Sequence, residues 1–139
     1  TTRTLSSEVR DHMEEAINRI SKAIASAYRA EAEVEYIRLV APTINDGKSV
    51  AIVEESVTQL LGKDGYFEVD TQMGGEDVGE FFAVAKEGGA MANLGARNPQ
   101  KAETLWPHHH PKFNVDEDAF VIGSALYAQY AINYLKKQD

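Results

Sequence analysis

The chain has 139 residues, one domain's worth, and carries 14 Lys and Arg against 22 Asp and Glu for a net charge of -8. So acidic a balance argues against nucleic acid and anionic membranes as partners, because both attract Lys and Arg. The lack of cysteine excludes disulfides, thiolate zinc sites and a cysteine nucleophile within this chain, and no apolar run approaches the roughly 20 residues that span a bilayer.

In chain order, TTRTL reads as the tail of a strand that begins before Thr1. Ser6 and Ser7 are N-cap candidates, with Glu8 and Asp11 in the first turn of the helix that follows. Val9, Met13, Ile17, Ile20, Ile24 and Tyr28 recur at spacings of three and four, which makes one apolar stripe. The run EVEYIRLV alternates Val34, Tyr36 and Arg38 against Glu33, Glu35 and Ile37, a strand pattern that Leu39 and Val40 break. Pro42 to Lys48 concentrates Pro, Asn, Asp and Gly and reads as a linker.

A second helix carries Val50, Val53, Val57, Leu60 and Leu61 and stops at Gly62. Tyr66 to Val69 is a brief predicted strand. Gly74-Gly75 is a turn into a short helix, and Ala90 to Leu94 is a buried-strand candidate. Residues 95–115 read as irregular. Asp116 is the expected cap of a last helix with Phe120, Leu126, Tyr127, Tyr130, Tyr134 and Leu135, acidic at its start and basic at Lys136-Lys137. Helices alternating with strands argue for a layered α/β sheet.

The strongest chemical constellation is Trp106-Pro107-His108-His109-His110-Pro111-Lys112-Phe113. Imidazole is the commonest metal ligand, and the two prolines stiffen the loop that presents it. Adjacent histidines on an extended loop point in different directions, so at most one or two can face one ion. The other reading is a solvated loop without a role. A catalytic zinc takes three protein ligands, more than this loop can supply alone. In Met73-Gly74-Gly75-Glu76-Asp77, two glycines before a helix leave backbone N–H groups for an anion such as a carboxylate, or simply make a tight turn. Arg3 and Arg38 lie on predicted strands, where a guanidinium can clamp a carboxylate or pair with a surface Glu.

Three runs together resemble a known family: MGGEDVGEFF, an apolar stretch ending NLGARNP, and WPHHHPKFNVDEDAFVIGSALYAQYAINYL. They look like the C-terminal end of the aminoacylase/carboxypeptidase-type metallopeptidases. The amidohydrolase branch, with hippurate hydrolases, N-acyl-amino-acid deacetylases and auxin-conjugate hydrolases, is the most similar. At the front, TTRTLSSEVRDHMEEAINRIS resembles that branch's GT-x-RT-x-x-x-EVR segment, and Val40 to Asp46 resembles its GYPPTVND crossing.

The resemblance implies an α/β fold: a partial ferredoxin-like lid (strand-helix-strand) followed by the C-terminal αβαβα part of a layered metallopeptidase domain. Residues 1–41 would be half of the lid and dimerisation domain, and residues 42–139 the end of the catalytic domain. It implies a metal-dependent amidohydrolase acting on N-acyl amino acids or small peptides, with a dinuclear zinc or manganese centre. With Pro111-Lys112-Phe113 aligned to the family's PLHHPKF, the metal ligand falls on His109. Gly74 and Gly75 would meet the substrate carboxylate, and lid arginines raise Arg3 and Arg38 as substrate contacts.

The family's HxCGHD-type motif and catalytic glutamates are not in this sequence. The chain is therefore expected to be a C-terminal portion without catalytic residues of its own, inactive in isolation. A homodimer through the lid segment is the implied partner, and a non-catalytic dimerisation or interaction fragment is the competing reading. A cytoplasmic location is expected from the lack of a visible signal segment.

Overall fold

A computed structural model describes residues 1–137. It contains four α-helices: α1 (Ser7–Ala27), α2 (Gly47–Leu61), α3 (Val78–Val84) and α4 (Asp118–Lys136). Two 3-10 turns lie over Lys63–Gly65 and Ala102–Leu105.

The helix boundaries follow local chemistry. Ser6 caps α1, its hydroxyl accepting from Val9 N at 3.1 Å. Asp46 caps α2 by accepting from Ser49 N at 2.9 Å, and that hydrogen bond holds its carboxyl below the usual aspartate range. Gly62 ends α2 at φ 80°, a backbone conformation that a side chain would strain.

No strand forms among the described residues, which corrects the expected α/β fold. The strand-helix-strand lid reduces to α1 between two segments without regular structure, and the αβαβα layout to helices joined by irregular chain. A strand exists only where a neighbouring backbone completes a ladder, and side-chain alternation cannot supply that neighbour. The alternation itself persists: Val34 and Tyr36 are half-buried while Glu33, Glu35 and Ile37 are exposed. Thr2 and Tyr36 join these two segments through their hydroxyls at 2.7 Å. Phe67 and Val69 stay exposed, as do Met91 and Leu94 of the expected buried strand, so no layer covers these segments.

Two units divide the chain. The first comprises Thr1–Asn45 with Val69–Gly89, and the second Asp46–Glu68 with the chain from Ala90 onward. In the first, α1 forms as its periodicity predicts, yet none of its residues is buried, and Ile20, Ile24 and Tyr28 remain exposed.

In the second unit α2 packs on α4. The buried face of α2 is Ser49, Ile52, Val53, Ser56 and Val57, so Leu60 and Leu61 of the predicted stripe stay outside. The interface has a polar centre. Asn133 Nδ2 donates to Ser56 Oγ at 2.9 Å and to Gln59 Oε1 at 3.0 Å. Gln129 Nε2 donates to Gln59 Oε1 at 2.8 Å and to Asn133 Oδ1 at 3.0 Å. Ser56 Oγ donates back to Ile52 O at 2.6 Å. Polar groups so placed fix helix register, because any slip leaves buried donors unpaired. Tyr127 on α4 is 84% exposed.

The accessible surface is 11087 Å². A self-contained domain of this size exposes roughly 7,000 Å². The difference is surface that such a domain would bury. Among the described residues no helix is long and apolar enough to cross a membrane.

Candidate functional site

In the first unit, Gly74 and Gly75 lie in irregular chain before α3, whose cap residue Asp77 makes no side-chain cap bond. Arg3 reaches this turn: a Cβ added to Gly75 would meet its guanidinium at 2.5 Å. The lack of a side chain at Gly75 is therefore what admits Arg3. Arg3 makes no ion pair or hydrogen bond among the described residues. Gly74 is open, with nothing within 4 Å of an added Cβ.

Arg38 is committed elsewhere. It pairs with Asp11 at 2.6 Å and Glu14 at 2.5 Å on α1, and these carboxylates, Glu14 first, raise its pKa further. The crossing at Pro42 is tied to α3 in two ways. Ala41 N donates to Glu80 Oε1 at 2.8 Å, and Gly79 sits so close to Thr43 that an added Cβ would lie 3.1 Å from its Cα.

In the second unit, the loop from Trp106 to Phe113 sorts its three histidines. His110 stacks on Trp106 with ring centroids 4.1 Å apart, and its Nδ1 accepts from Lys112 N at 3.0 Å. A neutral imidazole accepting at Nδ1 keeps its proton on Nε2, so neither nitrogen of that ring is open to a cation. His108 meets Phe113 edge to face at 4.9 Å. His109 is exposed and its ring makes no hydrogen bond or ring contact among the described residues. Its backbone holds φ 65°, the left-handed region, at a cost of about 1–2 kcal/mol for a residue with a Cβ. Turn bonds from His110 N to Pro107 O (3.2 Å) and Phe113 N to His110 O (2.8 Å) oppose that strain.

A clasp closes the loop. Asp116, 9% exposed, accepts from Asn98 Nδ2 at 2.6 Å and from Asp118 N at 3.3 Å, and forms a short ion pair with Lys101. Lys101 also reaches Asp118 at 3.0 Å. Asp116 N donates to Ala96 O at 2.8 Å. Thr104, also buried, accepts from Asn98 N at 2.9 Å, and Asn98 Oδ1 accepts from Gln100 N at 2.9 Å. The Lys101 ammonium, then the Asn98 amide, hold the Asp116 carboxyl down at about 2 against the opposing effect of burial. The same pairing, with Asp118 second, raises the Lys101 pKa.

The sign of the pH effect follows from these shifts. Asp116 titrates lower folded than unfolded, so its contribution is present above its ordinary value of 3.8 and is lost as pH falls toward about 2. Lys101 titrates higher folded than unfolded, so its contribution is present below 10.5 and fades as pH rises through the raised value. Trp106, the one tryptophan, sits inside the closed loop and reports on it. Its fluorescence is expected to change between about pH 4 and pH 2 as the clasp opens. Asp116→Asn should abolish that response, and its persistence in the variant would refute the assignment.

Among the described residues no three His, Asp, Glu or Cys side chains converge on one point. The donor chemistry fits a single metal ligand, His109, and not a complete site. Arg3 and Gly75 come together in the first unit, Arg38 is separately paired, and His109 belongs to the second unit. Sequence reasoning missed the clasp. Asn98-Pro99 signals a turn, and Asp116 reads as a helix cap, but nothing along the chain pairs Lys101 with a residue fifteen positions away.

The model of peptidase family M20/M25/M40 matches residues 4–133. Thermostable carboxypeptidase 1 of Saccharolobus solfataricus is 31% identical over 137 residues, covering 99% of this chain and 34% of the relative. N-acetylcysteine deacetylase of Bacillus subtilis is 30% identical over 140 residues, 98% of this chain and 33% of the relative. IAA-amino acid hydrolase ILR1-like 2 of Arabidopsis thaliana is 28% identical over 97 residues, 70% of this chain and 21% of the relative. The chain thus spans about a third of the length of the curated relatives it matches most fully. No solved structure matches it.

Proposed function

The chain belongs to peptidase family M20/M25/M40, and from that premise we propose that it is the C-terminal portion of a metal-dependent amidohydrolase. The parent enzyme hydrolyses the amide bond of N-acyl amino acids or small peptides, a class in keeping with the names of its carboxypeptidase, deacetylase and amino-acid hydrolase relatives. Residues 1–41 are assigned to its lid and dimerisation domain and residues 42–139 to its catalytic domain.

The observation that carries this reading is the His109 imidazole, exposed and unengaged while its two neighbours are held by the loop. In the parent enzyme His109 is one ligand of a zinc or manganese pair, and the remaining ligands and the general base come from the parent's other segments. The metal supplies polarisation of the amide carbonyl and an acidified water. This chain's own work is to hold one imidazole and to orient substrate. Arg3 and the open Gly74-Gly75 backbone take the substrate carboxylate, a charge-assisted contact that fixes which amide bond is presented. Arg38 could join them only by leaving Asp11 and Glu14.

The purified 139-residue chain tests this. It is expected to bind zinc weakly and to leave N-acetyl amino acids intact, since one imidazole cannot build a catalytic zinc site. Tight stoichiometric zinc in dialysis, together with amide hydrolysis, would overturn the reading.

A second reading, a non-catalytic dimerisation fragment, is favoured by the unburied apolar stripe of α1. Light scattering separates the two: a monomer across the micromolar range removes the dimerisation reading.

A further inference from the structure

We propose that the Lys101–Asp116–Asn98 clasp is the positioning device for His109, fixing the ends of the loop so that this one imidazole is presented free of the loop's own contacts. The inference rests on the reading of His109 as a metal ligand, and its test is arranged to separate the two.

The loop is ordered at two levels. At its base, Asp116 gathers Lys101 and Asn98 while its own N–H reaches Ala96 O. Asp116 and Thr104 are both buried, while the Lys101 ammonium that meets Asp116 stays partly open to water. At its tip, Trp106 and His110 stack, His108 abuts Phe113, and Lys112 Nζ lies 5.3 Å from the Trp106 ring centroid.

The tip contacts are a stack, an edge contact, a cation over a ring and a few turn bonds. Each is individually weak. They must hold a non-glycine residue in the left-handed region at His109. An open chain of this length would spend far more in conformational entropy than such contacts return. Joining the base shortens the segment that the tip must order, and a charge-assisted hydrogen bond is a stronger closure than a neutral one. Asp116, Lys101 and Asn98 therefore act through His109 and never touch the metal or the substrate.

The His110 ring gives a readout independent of metal. With the clasp closed, Nδ1 accepts from Lys112 N, so nitrogen-15 spectra of the isolated chain should show His110 as the single Nε2–H tautomer. Lys101→Met is expected to collapse that signature into an averaged one, with the α2 and α4 helical circular dichroism retained. Lys101→Arg, which keeps the charge and adds a fork suited to Asp116 and Asp118, is expected to preserve it.

In the zinc-loaded parent enzyme, Lys101→Met should weaken zinc binding about 10–100-fold, the usual loss when a partner behind a ligand is removed. Lys101→Arg should restore it. Asp116→Asn is the second variant should Lys101→Met unfold, and it is expected to show the same two losses.

The clasp is refuted if Lys101→Met and Asp116→Asn keep both the tautomer signature and wild-type zinc affinity while His109→Ala loses that affinity. In that case the reading of His109 stands. Unchanged affinity in His109→Ala refutes the ligand reading and, with it, this proposal.

Discussion

Replacing His109 with alanine in the parent enzyme is expected to cut amide hydrolysis at least about a hundredfold. Partners that merely orient a ligand are worth about 10–100-fold, and loss of the ligand itself costs no less. The geometry separates the three neighbouring residues. His110 has its Nδ1 occupied by Lys112 N and its face covered by Trp106. His108 has its edge against Phe113. Only His109 offers a ring without partners among the described residues, so His108→Ala should lose much less activity. His109→Gly sharpens the experiment. Glycine relieves the left-handed backbone at φ 65°, so the variant should be at least as stable as the parent and just as inactive. Near-normal hydrolysis by either His109 variant would refute the ligand assignment.

Ile52→Ala is expected to destabilise the second unit by about 2–5 kcal/mol, the range for emptying an isoleucine site in a core. Among the described residues the buried apolar set is Ile52, Val53, Val57 and Ala119, which leaves little surplus to absorb the cavity. Whole domains are stable by only about 5–15 kcal/mol, so this loss approaches the unit's entire margin. Urea unfolding followed by circular dichroism measures it. Ile24→Ala on α1 is the control, because a side chain 56% exposed should cost little. Comparable losses in the two variants would contradict the burial pattern. Asn133→Ala should fall between them, since it removes the hydrogen bonds to Ser56 Oγ and Gln59 Oε1 at the α2–α4 interface while each of those groups keeps one other partner.

Different parts of the molecule were legible to different degrees, and the reason is the range of the interaction that decides each. The family could be read from runs such as PHHHPKF and MGGED, because a motif's residue types and spacing are properties of the sequence. The helices were likewise legible. Ser6 and Gly62 act on backbone groups three or four residues away, and α1 starts and α2 stops where they lie, whereas α4 begins at Asp118 after Glu117 and not with Asp116 as its cap. The short helix expected after the Gly74-Gly75 turn forms as α3, starting at Val78.

The extended segments were read as strands from alternation alone. Alternation is necessary for a half-buried strand, but a ladder needs a second backbone in register, and TTRTL, EVEYIRLV, Tyr66 to Val69 and Ala90 to Leu94 form none among the described residues.

The candidate site divides in the same way. The sequence by itself determined that a histidine loop, a paired-glycine turn and two arginines are present, along with the Ser6 cap that starts α1, because those depend on residues close in the chain. Tertiary structure alone decided that Arg3 meets Gly75 while Arg38 is taken by α1, and that Ser56 and Asn133 sit at the centre of the α2–α4 contact. It also decided that Lys101 and Asp116 close the loop that leaves His109 free. Each of these outcomes depends on groups far apart in the chain meeting within a few ångströms, and that proximity is set by packing rather than by spacing.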